Sequence, residues 1–375
     1  MKIFSVVLNN FTSDNRVLKE NISFKNAGFE PLIVAMHEDG LKELDEQEGI
    51  KIIRIKLKTK NWPKSFIFSA FKYFEFIFSA FKLSKNYDVV HCNDLETLAV
   101  GYFRKLISRK TKLVYDAHEY ELEKSSGSGP AMKWLNRKME KWFINSSNSV
   151  ISVSDSIADE YSKIYGIQKP NLIFNCPSKS YYTNTDYDIF REKFNLRKDQ
   201  NIFIYQGGFS KGRGIELIIE AFLSFEDDKN VVVFMGFGTL TELVKKSCEN
   251  SNKIFHHEAV SFDEIVKHTK SADWGLITTQ NTCLNNYMSL PNKFFEYAMA
   301  DIPILAFPNI EMKNKIENYN IGLVTKSESA EDLALAIKEA GIMDKSSFSQ
   351  GLEKIRSEFN WEKQEEKLIK IYKNL

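Results

Sequence analysis

At 375 residues the chain is long enough for two domains with complete cores. Its 51 Lys and Arg nearly cancel 50 Asp and Glu, leaving a formal net charge of +1, so no overall field argues for a nucleic-acid partner. The four cysteines, Cys92, Cys176, Cys248 and Cys283, match no zinc or redox spacing and fit a reducing, cytoplasmic setting.

The first residues, MKIFSVVLNN, carry too short an apolar run for a signal peptide and read as a strand, Lys2–Leu8. A polar loop, Asn9–Asp14, follows; then come a helix over Arg16–Phe24, a stop at Asn26-Ala27-Gly28 and a strand over Glu30–Ala35. This is a βαβ unit, and ligands gather in the loops after such strands. Asn9, Asn10, Thr12 and Asp14 are therefore candidate site residues, against the simpler reading of loop polarity and helix capping.

The stretch Trp62–Leu83 repeats FIFSAFK at Phe66–Lys72 and Phe76–Lys82, with seven phenylalanines in Phe66–Phe81 and Lys60, Lys64, Lys72, Lys82 and Lys85 beside them. Lys72 and Glu75 argue against a full membrane span. Two readings remain: a crossover helix packed on the sheet, and a helix whose outer face also meets lipid. Next, Tyr87–Cys92 is a strand ending at Asn93-Asp94, and Lys112–Tyr115 is a strand that delivers Asp116-Ala117-His118-Glu119 to a loop. KSSGSGP, 124–130, reads as a flexible loop, Trp134–Phe143 as an amphipathic helix, Ser149–Val153 as a strand, and Ser154–Tyr165 as a serine-capped helix.

After Leu172–Phe174 the pattern leads into a linker near 176–180 and an irregular polar run, Tyr181–Asn195. A second βα series follows, with strands at Asn201–Tyr205, Val231–Met235, Lys253–His256, Trp274–Thr278 and Ile304–Phe307. The expected architecture is α/β: two doubly wound, Rossmann-like domains facing each other across a cleft. The expected division is 1–177, 178–357 and a final helix within 358–375 that packs back on the first domain.

Two segments of the second half carry chemistry. IYQGGFSKGRG, 204–214, puts glycines at a strand end, where backbone can approach a ligand, and Arg213 just before a helix. Gly236-Phe237-Gly238 repeats that arrangement one strand later. It is neither a Walker A loop nor a dinucleotide fingerprint. SLPNKFFEYAMADIPIL, 289–305, gives an apolar helix with a free N-terminal end, a ready anion site, and one acid, Glu296, a turn further in. A carboxylate there suits the vicinal diol of a ribose; meeting solvent or a lysine is the plainer alternative.

HCNDLETL, VYDAHEY, GGFSKGRGIELIIEA and SLPNKFFEYAMADIPIL, in this order, resemble family 4 glycosyltransferases of the GT-B fold. The resemblance covers nearly the whole chain and implies a retaining, metal-independent transfer from a nucleotide sugar, with no cofactor. By resemblance Glu296 binds the ribose, Arg213 belongs to the phosphate clamp, and His118 lies beside the donor sugar. Gly207, Gly208, Phe209, Gly236, Met288, Ser289, Leu290, Pro291, Asn292 and Lys293 are the expected donor-binding set; Asn10, Asp14, Asp94 and Glu119 are the expected acceptor and cleft set. Two positions depart from the family pattern: Met288 stands where its first Glu falls, and Gly208 where many members carry Arg.

The expected chemistry is loss of a nucleotide diphosphate, its charge met by Arg213, helix-terminal N–H groups and Lys293 without a metal. Asp227-Asp228 reads as a surface turn. UDP-sugar is the favoured donor, with GDP-sugar the other choice. The expected acceptor is a polyprenyl-linked saccharide in capsule, O-antigen or exopolysaccharide synthesis, reached by a cytoplasmic enzyme peripheral to the membrane. The competing readings are a nucleotide-sugar epimerase or hydrolase using paired acids such as Asp94 and Glu119, and an inactive nucleotide-sugar-binding subunit.

Overall fold

A computed structural model describes residues 1–12, 14–63, 65–123 and 130–375, with the side chains of 66, 130–133 and 135 left aside. The expectation for 124–130 thus lies almost wholly outside the described residues. The chain divides into two compact units, Met1–Ile173 with Glu365–Leu375, and Phe174–Gln364.

The first unit runs β1 (Lys2–Val6), α1 (Asn15–Asn26), β2 (Glu30–Met36), β3 (Leu44–Gln47), β4 (Ile50–Ile55), α2 (Phe66–Leu83), β5 (Val89–Asn93), α3 (Leu98–Ile107), β6 (Lys112–Ala117), α4 (Pro130–Ile144), β7 (Ser149–Ser152), α5 (Asp155–Tyr165) and β8 (Asn171–Leu172). Its sheet has the order β3-β4-β2-β1-β5-β6-β7-β8, parallel except for the antiparallel β3–β4 pair. Ile3, Ile33, Val89, Val90, Leu113 and Val114 are buried, as expected for parallel strands covered on both faces. The β3–β4 hairpin was not foreseen from the sequence. Its signal is Glu48-Gly49, both at positive φ (52° and 70°), where a two-residue turn needs that conformation. Asp116 and Ala117, expected in a loop, complete β6 and are fully buried, because Arg16 supplies the carboxylate with a partner inside the fold. Ser154 caps α5 by accepting the Ile157 N–H. At the end of the chain Tyr372 packs on Phe24, ring centroids 4.3 Å apart, and its hydroxyl bonds Nδ1 of His91.

The second unit runs α6 (Ile189–Phe194), β9 (Asn201–Gly208), α7 (Ile215–Leu223), β10 (Asn230–Phe237), α8 (Thr241–Glu249), β11 (Ile254–His257), α9 (Phe262–Thr269), β12 (Trp274–Ile277), α10 (Leu284–Met288), α11 (Asn292–Met299), β13 (Ile304–Ala306), α12 (Ile310–Tyr319), β14 (Gly322–Val324), α13 (Ala330–Ala340) and α14 (Ser349–Glu358); α15 (Trp361–Lys373) begins here. Its sheet is parallel throughout, in the order β11-β10-β9-β12-β13-β14. The run expected to be irregular contains α6, anchored by buried Phe190. Asn292 is the first residue of α11, behind Pro291.

Both sheets reverse winding direction once: between β1 and β5 in the first, and between β9 and β12 in the second. In open α/β sheets such a reversal leaves a crevice at the carboxyl ends of the strands. Many of the residues singled out in the sequence lie at these two places.

Candidate active site

In the second unit a cavity of about 510 Å³ opens at the carboxyl ends of β9 and β10. Tyr205–Gly208 and Met235–Phe237 form one side, Pro291, Asn292, Lys293 and Glu296 of the α11 region another, and Arg213 a third. Backbone closeness sets this shape. A Cβ on Gly236 would meet the Gly207 carbonyl oxygen at 2.1 Å, and φ there is +146°. Gly214, at φ +75° before α7, would bring a Cβ to 2.3 Å from the Thr278 carbonyl. Only glycine lets these loops lie so close.

Glu296 is held rather than loose. Gln206 donates from Nε2 to Oε2 of Glu296, and Thr269 fixes the Gln206 amide by donating its hydroxyl to Oε1 at 2.6 Å. Fully buried Tyr297 anchors α11 to the sheet by donating to the carbonyls of Ile204 and Leu276, 3.2 and 3.1 Å away. Its ring fits because residue 275 is glycine, where a Cβ would come within 2.3 Å of it. The Lys293 ammonium lies 3.7 Å from the centroid of the Tyr205 ring. Burial, reinforced by the charge of Arg213 and opposed by Glu296, lowers Lys293 to about 7. Arg213 is fixed through its backbone, whose carbonyl accepts the Thr278 hydroxyl at 2.8 Å. The cavity therefore pairs a positioned carboxylate with two cations that repel each other until an anion enters.

In the first unit α1, β5 and the end of β6 carry a chain of charges. Arg16 makes a two-pronged bond to buried Asp116, at 2.8 and 3.1 Å, and an ion pair with Glu20 at 3.2 Å. Buried His91 sits 3.4 Å from Glu20 and 3.7 Å from Asp116. His118 reaches Asp116 with Nε2 at 3.1 Å, lies 3.6 Å from Asp94 through Nδ1, and donates its backbone N–H to Asp94 at 3.1 Å. Burial works against a charge on His118, but the carboxylates of Asp94 and Asp116 outweigh it and raise the ring to about 10. His91 is raised to about 9 in the same way, between Asp116 and Glu20. Burial opposes the charge of Asp116 too, yet Arg16 and His118 hold its carboxyl well below the usual range. Glu20, His91 and Asp116 bring possible metal-ligand atoms within 4.8 Å of one another. Arg16 is bonded to Asp116 and ion-paired with Glu20, so this group has its counter-cation within the protein.

Two family models match the chain in tandem: "Glycosyltransferase Family 4" over residues 23–176 and "Glycosyl transferases group 1" over residues 186–347. This chain belongs to glycosyltransferase family 4. An uncharacterized glycosyltransferase of Methanocaldococcus jannaschii is 27% identical over 202 residues, which span half of this chain and half of that protein. Among solved structures, sucrose-phosphate synthase of Thermosynechococcus elongatus superposes with a TM-score of 0.81 at 15% identity, covering 100% of this chain and 98% of the other. Anabaena HepE in complex with UDP gives 0.78 at 15% identity, covering 100% of both chains. At these identities the likeness is one of fold, and that fold is GT-B.

Within the glycosyltransferase, the structure brings Gly207, Gly208, Gly236, Pro291, Asn292, Lys293, Arg213 and Glu296 to one cavity. Phe209, Met288, Ser289 and Leu290 lie outside its lining: Phe209 is fully buried behind it, and Met288 closes α10. In the first unit His118 and Asp94 meet directly. Asp14 caps α1 by accepting the Val17 N–H, Asn10 bonds Glu38, and Glu119 is exposed beyond His118. Arg16, Glu20, His91, Gln206 and Thr269 join these sites without being among the residues expected from the sequence. Gln206 lies inside the glycine segment already noted, and a polar side chain at the end of an otherwise apolar strand was its signal. Arg16 and Glu20 had one as well, four residues apart on α1, the spacing of a helical ion pair.

Proposed function

We propose that this glycosyltransferase moves a sugar, with retention, from a nucleotide-sugar donor to a saccharide acceptor. The observation that carries the reading is the second-unit cavity, where the Gln206-held carboxylate of Glu296 stands beside the cations of Lys293 and Arg213. A ribose diol suits the carboxylate, and a diphosphate suits the two cations and the N-terminal N–H groups of α11. Charge grows on the leaving diphosphate as the sugar becomes oxocarbenium-like, and Arg213 and Lys293 meet that charge without a metal. The leaving phosphate oxygen takes the acceptor proton on the same face, so no protein base is required. His118, a cation at neutral pH, donates hydrogen bonds to the sugar or to a phosphate oxygen and is not a nucleophile. With Met288 and Gly208 at two family positions, Lys293 takes over part of the diphosphate charge.

UDP-sugar is favoured over GDP-sugar; HepE, which shares the fold, has been solved with UDP and with UDP-glucose. The acceptor proposed is a polyprenyl-diphosphate-linked saccharide of surface-polysaccharide synthesis, used by an enzyme peripheral to the inner face of the plasma membrane. The test is a thermal-stabilisation screen of UDP-, GDP- and dTDP-sugars, because ligands that bind the native state raise its melting temperature. Product analysis in excess EDTA, with and without acceptor, follows. Stabilisation by one donor with acceptor-dependent, anomer-retaining product is expected. Turnover of the donor without any acceptor would replace the reading with an epimerase or hydrolase. Binding without turnover on any acceptor would make the chain an inactive subunit.

A further inference from the structure

Helix α2 carries phenylalanines on both its buried and its exposed side. Phe76 and Ala80 are fully buried against the sheet, whereas Phe71, Phe74 and Phe78 on the opposite side are 54%, 65% and 57% exposed. With Ile67 they follow the spacing i, i+4, i+7, i+11, one unbroken stripe along the outer face. Packing on the sheet therefore leaves unexplained Phe71 and Phe78 of the repeated FIFSAFK, and Phe74 between the two copies.

The stripe does not stop at α2. The connections β4 to β5, β5 to β6 and β6 to β7 all step the same way along the sheet, so right-handed crossovers put α2, α3 and α4 side by side on one face. Contacts tie them together. Arg104 of α3 lies over the Phe81 ring at 4.2 Å and donates to Ser84, while Tyr102 of α3 meets Trp142 and Phe143 of α4 at 5.7 and 4.8 Å. From these neighbours Phe103, Leu106 and Ile107 on α3, and Trp134 and Trp142 on α4, also stand exposed.

The exposed charges on this face are mostly positive. Lys82, Lys85, Arg109, Lys110, Lys138 and Lys141 are exposed on or beside the three helices. Of the two acids within them, Glu75 is engaged by the N–H groups of Lys58 and Thr59, and buried Glu140 accepts the hydroxyls of Tyr115 and Tyr165; Glu96, just before α3, is the exposed acid beside them. Lys82 leans over the Phe78 ring and Lys138 over the Trp134 ring, 4.2 and 5.7 Å from their centroids, so cation and aromatic are presented together. No described helix is long and apolar enough to cross a membrane. Exposed Phe and Trp rimmed by cations, on a chain whose overall charge is near zero, match an interface of acyl chains beneath anionic headgroups. A second copy of the chain would set like charges against each other on this face.

We propose that the outer face of α2, α3 and α4 is a docking surface for an anionic lipid bilayer, with the aromatic stripe inserted at headgroup depth and the lysine rim held by lipid phosphate. The proposal deepens the lipid-linked acceptor reading and rests on it for its purpose, but it is tested without any substrate.

The experiment is co-sedimentation of the full chain with phosphatidylcholine vesicles, with and without phosphatidylglycerol, at low and high salt. The parent is compared with a charge variant (Lys82→Glu, Lys138→Glu, Lys141→Glu) and an apolar variant (Phe71→Ser, Phe74→Ser, Trp142→Ser). The parent should pellet with the anionic vesicles at low salt and be released by high salt. The charge variant should bind about fivefold more weakly for each cation removed. The apolar variant should lose binding even at low salt. Both variants should keep the parent's thermal shift with UDP, which reports the second unit and separates loss of docking from loss of donor binding. A parent left in the supernatant at low salt, or variants that pellet like the parent, would overturn the proposal. So would salt-insensitive self-association of the parent that the apolar variant abolishes while vesicles are ignored, which would assign the face to a second copy.

Discussion

The ammonium of Lys293 stands 3.7 Å from the centroid of the Tyr205 ring, in a site where burial and Arg213 lower its pKa to about 7. A lysine in that state responds to any anion placed beside it, because a neighbouring negative charge restores its proton. The titration carries two signs. In the empty protein the folded value lies below that of a free lysine, so the buried charge costs stability in full below about pH 7. That cost is relieved as pH rises from 7 towards the free value. With a diphosphate bound, the protonated form is favoured, and affinity falls as pH rises above 7.

Lys293→Met should accordingly raise the melting temperature of the unliganded protein at pH 6 by a few degrees, with the gain shrinking towards pH 10. The parent's affinity for UDP should weaken above pH 7 with a slope approaching tenfold per pH unit, and the variant should lose that slope. Calorimetric titrations at several pH values check this. A pH-independent parent affinity would remove Lys293 from the anion site.

Glu296→Gln should weaken donor binding while leaving the fold intact, since Gln206 can still donate to an amide oxygen at that position. A charged hydrogen bond to a ribose hydroxyl is worth about 1.5–3 kcal/mol. Dissociation constants should rise about tenfold to a hundredfold. Gln206→Leu should reproduce part of the loss by freeing the carboxylate. If both variants bind UDP as the parent does, the diol is held elsewhere.

Arg213→Ala should lower kcat more than it weakens ground-state donor binding, because phosphate charge increases towards the transition state. Initial rates at saturating donor, beside calorimetric affinities, separate the two effects. Equal losses in both would make Arg213 a uniform binding group.

His118, raised to about 10 by Asp94 and Asp116, should remain an imidazolium across pH 6–8 in ring NMR spectra. Its folded value exceeds the free one, so its ion pairs contribute fully below about pH 6.5 and are lost as pH rises towards 10. His118→Asn should cost stability at pH 7 and lose that penalty in alkali. A ring that titrates near 7 would take away its role as a fixed cation.

The periodicities of βα repetition were enough to read two doubly wound units, and most strands fall where apolar runs end in glycine or polar residues. That legibility has a local cause: a buried parallel strand must be apolar over its own length, and a close backbone turn must be glycine whatever surrounds it. Gly207, Gly236, Arg213 and Glu296 were visible for this reason. The partners that hold them were not. Gln206 meets Glu296 only because α11 packs across β9, and Arg16 meets Asp116, 100 residues on, only because β1, β5 and β6 are neighbours. Asp116 looked like a loop acid because its counter-charge lies on another element. The repeated FIFSAFK likewise announced an unusual helix without saying which rings faced water. That was decided by the sheet, which covers Phe76 and leaves Phe71, Phe74 and Phe78 outside, and by the crossover handedness that sets α3 and α4 beside them. Ion pairs and exposed faces are properties of which elements meet, and a linear pattern carries no record of that.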